Sequence, residues 1–146
     1  MPFINMAMTK EEFMDKQKHL EFIQGVINRM ANCSFLLKGW AITIMGAIFA
    51  LAAKDANLRF IIISYIVLPF FWLLDAFYLS KEKQYRALYD TVRIKEEKDI
   101  DYSLDTKDLD SGRNTWFHSF FSKTLNIFYI PLFIITLIIM FIFPNA

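Results

Sequence analysis

The fold is decided by residues 35–79, which read FLLKGWAITIMGAIFALAAKDANLRFIIISYIVLPFFWLLDAFYL. Two apolar windows lie within this stretch, at 35–53 and 60–79, and each has about the 20 residues that an α-helix needs to cross a bilayer. Each window holds a single charged residue, Lys38 in the first and Asp75 in the second. The stretch therefore predicts two antiparallel membrane spans joined by a short turn.

A third apolar window, at 124–143, contains no charged residue. Because 55% of the 146 residues are hydrophobic and 17% are aromatic, the chain has more apolar side chains than a soluble domain of this size requires. The first window begins too far along the chain for a signal peptide and lacks a small-residue cleavage site. We therefore predict an all-α membrane protein with three transmembrane helices.

Helical patterning continues beyond the first two windows. The segment Thr9–Glu12 has the spacing of a capping box, and apolar residues recur at helical intervals from Phe13 to Met30, within the N-terminal segment 1–34. We therefore predict one long helix from about residue 10 to residue 53, whose first part is amphipathic and cytosolic. Residues 80–98 extend the second span in the same way, so the two extensions predict a long cytosolic helical hairpin. Pro69 is expected to kink the second span.

Two segments separate the second span from the third. Residues 99–112 carry five Asp and predict a solvated acidic loop, which lacks the spacing and terminal Glu of a calcium loop. Residues 113–123 gather Trp and Phe beside basic residues and predict an interfacial aromatic segment at the lipid headgroups. The lone Cys33 excludes an internal disulfide and a cysteine-rich zinc cluster. We expect no metal and no cofactor.

The distribution of Lys and Arg predicts the orientation of the chain. Five lie before or just inside the first span, two in the turn after it, nine between the second and third spans, and none after the third. Cytoplasmic segments collect these residues. The N-terminus and the region between the second and third spans are therefore predicted to be cytoplasmic, and the C-terminus to lie outside.

Lys38 and Asp75 lie at equal depth if the first two spans form an antiparallel hairpin about residues 56 and 57. A charge in hydrocarbon is costly unless it finds a partner or water, so we predict that the two face each other, within one chain or between chains. The long side chain of Lys38 could instead reach the cytosolic headgroups. The same depth rule sets two further pairs of opposite charges side by side: Glu21 with Arg93, and Lys18 with Glu96.

Small residues form a stripe on one face of the first span. They recur at alternating intervals of four and three: Gly39, Thr43, Gly46, Ala50 and Ala53. Small side chains let helix backbones approach closely, and close packing drives helix association in lipid. The stripe predicts a helix-packing surface, and the sequence leaves open whether it packs against the second span or against another copy of the chain.

Arg113 and His118 have the R-x4-H spacing of the ribonuclease site in HEPN domains, where the two side chains act on an RNA phosphate and a 2′-hydroxyl. A HEPN site belongs to a soluble helical bundle, whereas aromatic residues here lead directly into a membrane span. A polar collar on an interfacial helix is the better interpretation. We therefore expect no enzymatic activity and no direct nucleic-acid binding, and keep a membrane-tethered HEPN-like ribonuclease as the weakest alternative.

Several collinear blocks of the chain resemble the RipA-like family of small bacterial membrane proteins. The blocks cover most of the chain: residues 19–40, FALAAK at 49–54, WLLDAFYL at 72–79, YRALYD at 85–90, SLDT at 103–106 and FSKT at 121–124. The resemblance implies an octameric assembly. It also implies a relationship to the membrane accessory protein of RNA-cleaving CRISPR effectors, which forms an octameric pore and strengthens anti-phage defence by disturbing the membrane potential.

The expected function follows from this resemblance. It is a homo-oligomeric pore in the bacterial inner membrane, with the lipid bilayer and further copies of the chain as partners and a cytosolic defence effector as a candidate partner. Three spans are too few to enclose a channel, so a pore requires a ring of subunits. Asn28, Arg29 and Asn32 would face its lumen, or would instead bond between helices. The alternative is a non-conducting scaffold that recruits a cytosolic partner through residues 10–29 and 79–110.

Overall fold

A computed structural model describes the backbone of residues 2–55 and 58–142 and the side chains of residues 15–54 and 59–141. All regular structure in these ranges is helical: α1 (Pro2–Asp55), α2 (Leu58–Ile94), α3 (Trp116–Phe120) and α4 (Lys123–Ile142), with short 3₁₀ turns at Glu97–Asp99, Lys107–Leu109 and Gly112–Asn114. Of these, α1, α2 and α4 are long and apolar enough to cross a membrane. The prediction of an all-α protein with three such helices is confirmed.

The first helix begins earlier than its capping box predicts. It starts at Pro2 and runs without a break to Asp55, over 54 residues, which corresponds to about 80 Å. Proline is favoured in the first turn of a helix because its missing N–H would have no intrahelical acceptor there. The capping box therefore lies inside α1 and not at its start.

The second helix ends at Ile94, which is earlier than expected, and a residue of α1 caps this end. Lys16 Nζ donates hydrogen bonds to the carbonyl oxygens of Lys95 at 2.6 Å and Arg93 at 3.1 Å. An ammonium group there satisfies carbonyls that have no intrahelical donor and is favoured by the helix dipole. The chain then passes into the 3₁₀ turn at Glu97–Asp99.

Helices α1 and α2 pack against each other along two apolar clusters. The first lies within the apolar windows and also involves α4: Ala41, Met45, Leu68, Ala76, Leu125 and Tyr129. The second lies far from the end of α1 at Asp55: Ile23, Ile27, Leu88, Val92 and Ile100. Burial of these side chains supplies the main packing contacts between the helices.

The two cross-helix charge pairs predicted beyond the spans do not form ion pairs among the described residues. Arg93 is paired with Asp90 on its own helix at 3.3 Å, and Glu96 is paired with Lys98 at 2.7 Å. Lys18 and Glu21 are both exposed. Exposed side chains gain little from an ion pair that holds two long chains in one geometry, so neighbours in the sequence compete successfully for them.

The acidic segment at 99–112 is more than a solvated loop. Its Asp residues are exposed, as predicted, but Ile100 is buried in the second apolar cluster and Thr106 is buried against α2. Thr106 Oγ1 donates to Gln84 Oε1 at 3.1 Å, and Gln84 Nε2 donates to the carbonyl oxygen of Asn114 at 3.3 Å. Gln84 is fully buried, so one amide side chain of α2 binds the middle of the loop at Thr106 and the chain just beyond the loop at Asn114.

The aromatic segment docks on α2 through two tryptophans. Trp72 Nε1 donates to the carbonyl oxygen of Phe120 at 3.1 Å, and the Trp72 ring stacks on that of Phe120 with centroids 4.6 Å apart. Trp116 Nε1 donates to the carbonyl oxygen of Leu73 at 3.2 Å. Phe117 and Phe121 stay exposed. These contacts place the start of α4 beside the middle of α2.

Candidate functional site

The two charges within the apolar windows meet at a buried carboxylate. Lys38 Nζ lies 2.6 Å from Asp75 Oδ2, and the Asp75 side chain has no exposed surface. Ser34, one turn before Lys38, donates its hydroxyl to Asp75 Oδ1. From α4, Tyr129 Oη donates to Asp75 Oδ2 at 3.1 Å. One carboxylate thus joins α1, α2 and α4.

Ser34 and Tyr129 were not singled out from the sequence. A small hydroxyl four residues before a lysine on one helical face is a weak signal, and it could have suggested Ser34. Nothing in the sequence specifies which side of α4 turns toward α2, so Tyr129 could not have been identified. We name these four residues the charge cluster: Ser34, Lys38, Asp75 and Tyr129.

The polar groups of the charge cluster bond to one another. Lys38 Nζ also donates to Ser34 Oγ at 2.8 Å, and it lies 6.0 Å from the centre of the Phe128 ring. Buried charges are tolerated where they are paired and their remaining hydrogen-bonding capacity is used. Only 19% of the Lys38 side chain is exposed. The side chain therefore turns toward Asp75 and does not extend away from it toward the headgroups.

The small-residue stripe lies on the outward side of α1. Every residue of the stripe is exposed, whereas Ala41 and Met45 on the other side of the helix are buried against α2 and α4. A side-chain atom added at Gly39 or Gly46 would meet nothing within 4 Å. Thr43 Oγ1 donates to the carbonyl oxygen of Gly39 at 2.9 Å, so its hydroxyl needs no outside partner. The stripe does not pack against the second span.

The same spacing of three and four residues continues along the outward side of α1 toward the N-terminus. Its members are all exposed: Leu36, Asn32, Arg29, Gly25, Phe22, Lys18 and Asp15. Together with the stripe they form what we call the outward face of α1, from Asp15 to Ala53. Positions at these intervals share one side of a helix. At its N-terminal end this side borders the loop, because Asp15, Lys18 and Phe22 line a cleft with Tyr102 and Leu104.

Two of the three residues proposed to face a lumen, Arg29 and Asn32, are on this outward face, and Asn28 is exposed beside them. Asn28 Oδ1 accepts a hydrogen bond from Gln24 Nε2 at 3.2 Å on the same helix. Among the described residues, none of the three hydrogen-bonds to another helix of the chain. Their polar groups are available to water, to an ion or to a second chain.

Arg113 and His118 line one cleft, which lies between α2, α3 and the first turn of α4. The cleft has a volume of about 560 Å³ and is lined by Lys83, Arg113, Asn114, His118, Phe121, Ser122 and Lys123. We name it the basic cleft, because four of these residues are basic and none is acidic. Lys83 Nζ donates to Ser119 Oγ at 3.1 Å and to the carbonyl oxygen of Arg113 at 3.4 Å.

The ammonium group of Lys83 has a lowered pKa, and its partial burial is the main cause. The negative charge of Glu82 raises this pKa, and the positive charge of Arg113 lowers it by a smaller amount. The direction of the shift therefore reflects the loss of hydration at the ammonium group, since Glu82 acts on it more strongly than Arg113 does. An anion close to Lys83 would favour its charged form.

No protein-family model matches this chain, and no curated protein or solved structure matches it either.

Proposed function

We propose that the chain is the subunit of a homo-oligomeric pore in the bacterial inner membrane, which alters the permeability or the potential of that membrane in anti-phage defence or stress. The resemblance to the RipA-like family suggests an octamer. The mechanism is gated leakage of ions and involves no chemical reaction. The long α1–α2 hairpin projects into the cytosol and forms the vestibule of the pore.

The outward face of α1 is the observation that carries this proposal. A continuous exposed helix face with three glycines, each with open space beside it, is suited to pack against another helix. Lipid offers such a face no specific gain, whereas a second copy offers close backbone contact. Repetition of one such contact around an axis closes a ring.

The stripe from Gly39 to Ala53 takes the packing role, and the polar residues before it face the entrance of the channel. Asn28, Arg29 and Asn32 come shortly before the first apolar window, at the level where a cytosolic vestibule would narrow into the membrane. In a ring, each would be repeated in every subunit and would set the electric field that permeating ions meet. The charge cluster would hold α4 against the hairpin as a support that faces lipid.

The decisive experiment measures the mass of the detergent-purified assembly and the ion leakage of liposomes that contain it. We expect an assembly of several chains and a measurable leak. The variant Gly46→Leu places a bulky side chain on the stripe where the single chain has free space, so the subunit should fold while its association weakens by at least about tenfold, or roughly 1.4 kcal/mol.

Two matched alanines provide the control. Ala50 is on the stripe and Ala47 is exposed beside it, so Ala50→Leu should reduce both assembly and leakage and Ala47→Leu should reduce them less. A monomeric or dimeric wild-type protein would refute the pore. An oligomer in liposomes that stay sealed would favour the non-conducting scaffold instead.

A further inference from the structure

We propose that the basic cleft binds the phosphate group of an anionic phospholipid at the surface of the membrane. The binding groups are Lys83, Arg113, His118 and Lys123, with Asn114 and Ser122 as neutral hydrogen-bonding neighbours. This inference goes beyond the proposed pore, because it concerns a lipid site at the base of α4 and does not depend on the number of subunits.

The first support is that no acidic residue lines the cleft. In the described part of the chain, none of its four basic side chains lies within 4.0 Å of a carboxylate. Four other basic residues on this end of the molecule do have acidic partners: Arg86 with Glu82, Arg93 with Asp90, Lys98 with Glu96 and Lys107 with Asp105. Acidic groups are therefore abundant nearby but are absent from the cleft.

The second support is the position of the cleft along the membrane normal. Lys123 is the first residue of α4, the third helix that could span a membrane. Phe117 and Phe121 are 65% and 56% exposed next to it, and Trp116 is 41% exposed. Exposed aromatic side chains concentrate at the level of the lipid headgroups. The cleft therefore opens where the phosphates of a bilayer lie.

The third support is the chemistry of the donors. A guanidinium group can give two parallel hydrogen bonds to one phosphate, and lysines add charge around it. Basic pockets between membrane helices are a recurrent form of anionic-lipid site. Phe121 supplies an apolar wall where an acyl chain would leave the headgroup. A soluble phosphate would use the same donors but would gain nothing from that wall.

The test measures lipid preference in the full-length protein. A Trp40→Phe background removes the exposed tryptophan of α1 and leaves Trp72 and Trp116, whose rings lie 4.6 Å and 5.9 Å from that of Phe120 beside the cleft. Quenching of their fluorescence by brominated phosphatidylglycerol, compared with brominated phosphatidylcholine, gives a relative binding constant. We expect a clear preference for phosphatidylglycerol.

Removal of two cations should abolish most of this preference. For the double variant Arg113→Gln/Lys123→Gln we expect a loss of about fivefold per cation in the relative binding constant, since a basic residue at an anionic surface contributes on that scale. The charge-preserving variant Arg113→Lys/Lys123→Arg should retain most of the preference. The control Lys54→Gln/Arg59→Gln removes two cations at the other end of the spans and should leave the preference unchanged.

Three results would overturn the assignment. The first is an unchanged preference in a folded double variant, or in the single variant Lys123→Gln if the double variant cannot be purified. The second is loss of the preference for phosphatidylglycerol when inorganic phosphate is added at an equal concentration of phosphate groups. That result would assign the cleft to a soluble phosphate. The third is cross-linking of a labelled single-stranded RNA to the wild type and not to the double variant, which would assign it to RNA.

Discussion

Asp75 shows how one residue can determine the arrangement of three helices. Its carboxylate receives the charge of Lys38 from α1 and the hydroxyl of Tyr129 from α4. The Asp75 side chain has no exposed surface, so if one of these partners were removed, the remaining groups would stay buried. Replacing both members of a buried ion pair by apolar residues is often neutral, whereas removing one member alone is strongly destabilising.

A double-mutant cycle tests the charge cluster at this scale. We expect Asp75→Asn and Lys38→Met each to destabilise the protein by about 3 kcal/mol, because each leaves one buried charge without its partner. The double variant should be less destabilised than the sum of the two, with a coupling of roughly 1–3 kcal/mol. Thermal unfolding in detergent, followed by tryptophan fluorescence, measures all three. Strictly additive effects would show that the pair is not coupled.

The sequence predicted only half of the charge cluster. Lys38 and Asp75 could be paired because an antiparallel hairpin fixes relative depth from residue numbers alone. Ser34 and Tyr129 could not, since their contribution depends on how each helix is rotated about its own axis. That rotation is settled by the packing of many side chains at once.

At the scale of elements, the acidic loop at 99–112, which we call the strap, is fixed against α2. Gln84 receives the hydroxyl of Thr106 and donates to Asn114 and to Ser80 Oγ. Ile100 adds an apolar anchor in the second cluster. The strap therefore links the far end of α2 to the start of α3, and so positions the basic cleft.

Loss of the Gln84 side chain should release this strap. We expect Gln84→Ala to destabilise the protein by about 1–3 kcal/mol, since it leaves the buried hydroxyl of Thr106 without its acceptor. Hydrogen exchange should accelerate at the amides of Leu109 and Asp110, which donate to carbonyls inside the loop. Gln17→Ala changes an exposed residue of the same type and should leave exchange in the loop unaltered. Equal exchange in both variants would contradict the role given to Gln84.

The existence of the helices was predictable and some of their ends were not. Three apolar windows and a helical period are local properties of the sequence, and they predicted α1, α2 and α4 correctly. The end of α2 depends on Lys16, which is 77 residues away from Arg93 along the chain. The buried anchors of the loop likewise depend on α1 and α2, so its acidic composition alone predicted too much solvent exposure.

At the scale of the whole molecule, the proposed orientation has a direct test. The distribution of Lys and Arg predicts that the loop at 99–112 is cytoplasmic and that the turn after α1 is outside. In a Cys33→Ser background, Lys54→Cys should react with a membrane-impermeant maleimide in spheroplasts, and Asp101→Cys only after permeabilisation. The reverse labelling pattern would invert the orientation and would place the basic cleft on the outer surface.

The sequence by itself determined that this protein has three helices able to span a membrane, and it paired the two charges at equal depth. Both conclusions need only hydropathy, helical period and chain direction, which are properties of neighbouring residues. The tertiary structure decided that the small-residue stripe faces outward, that Tyr129 completes the charge cluster, and that four basic residues from separate elements share one cleft. These depend on the rotation and contact of helices far apart in the chain, and no local pattern in the sequence specifies them.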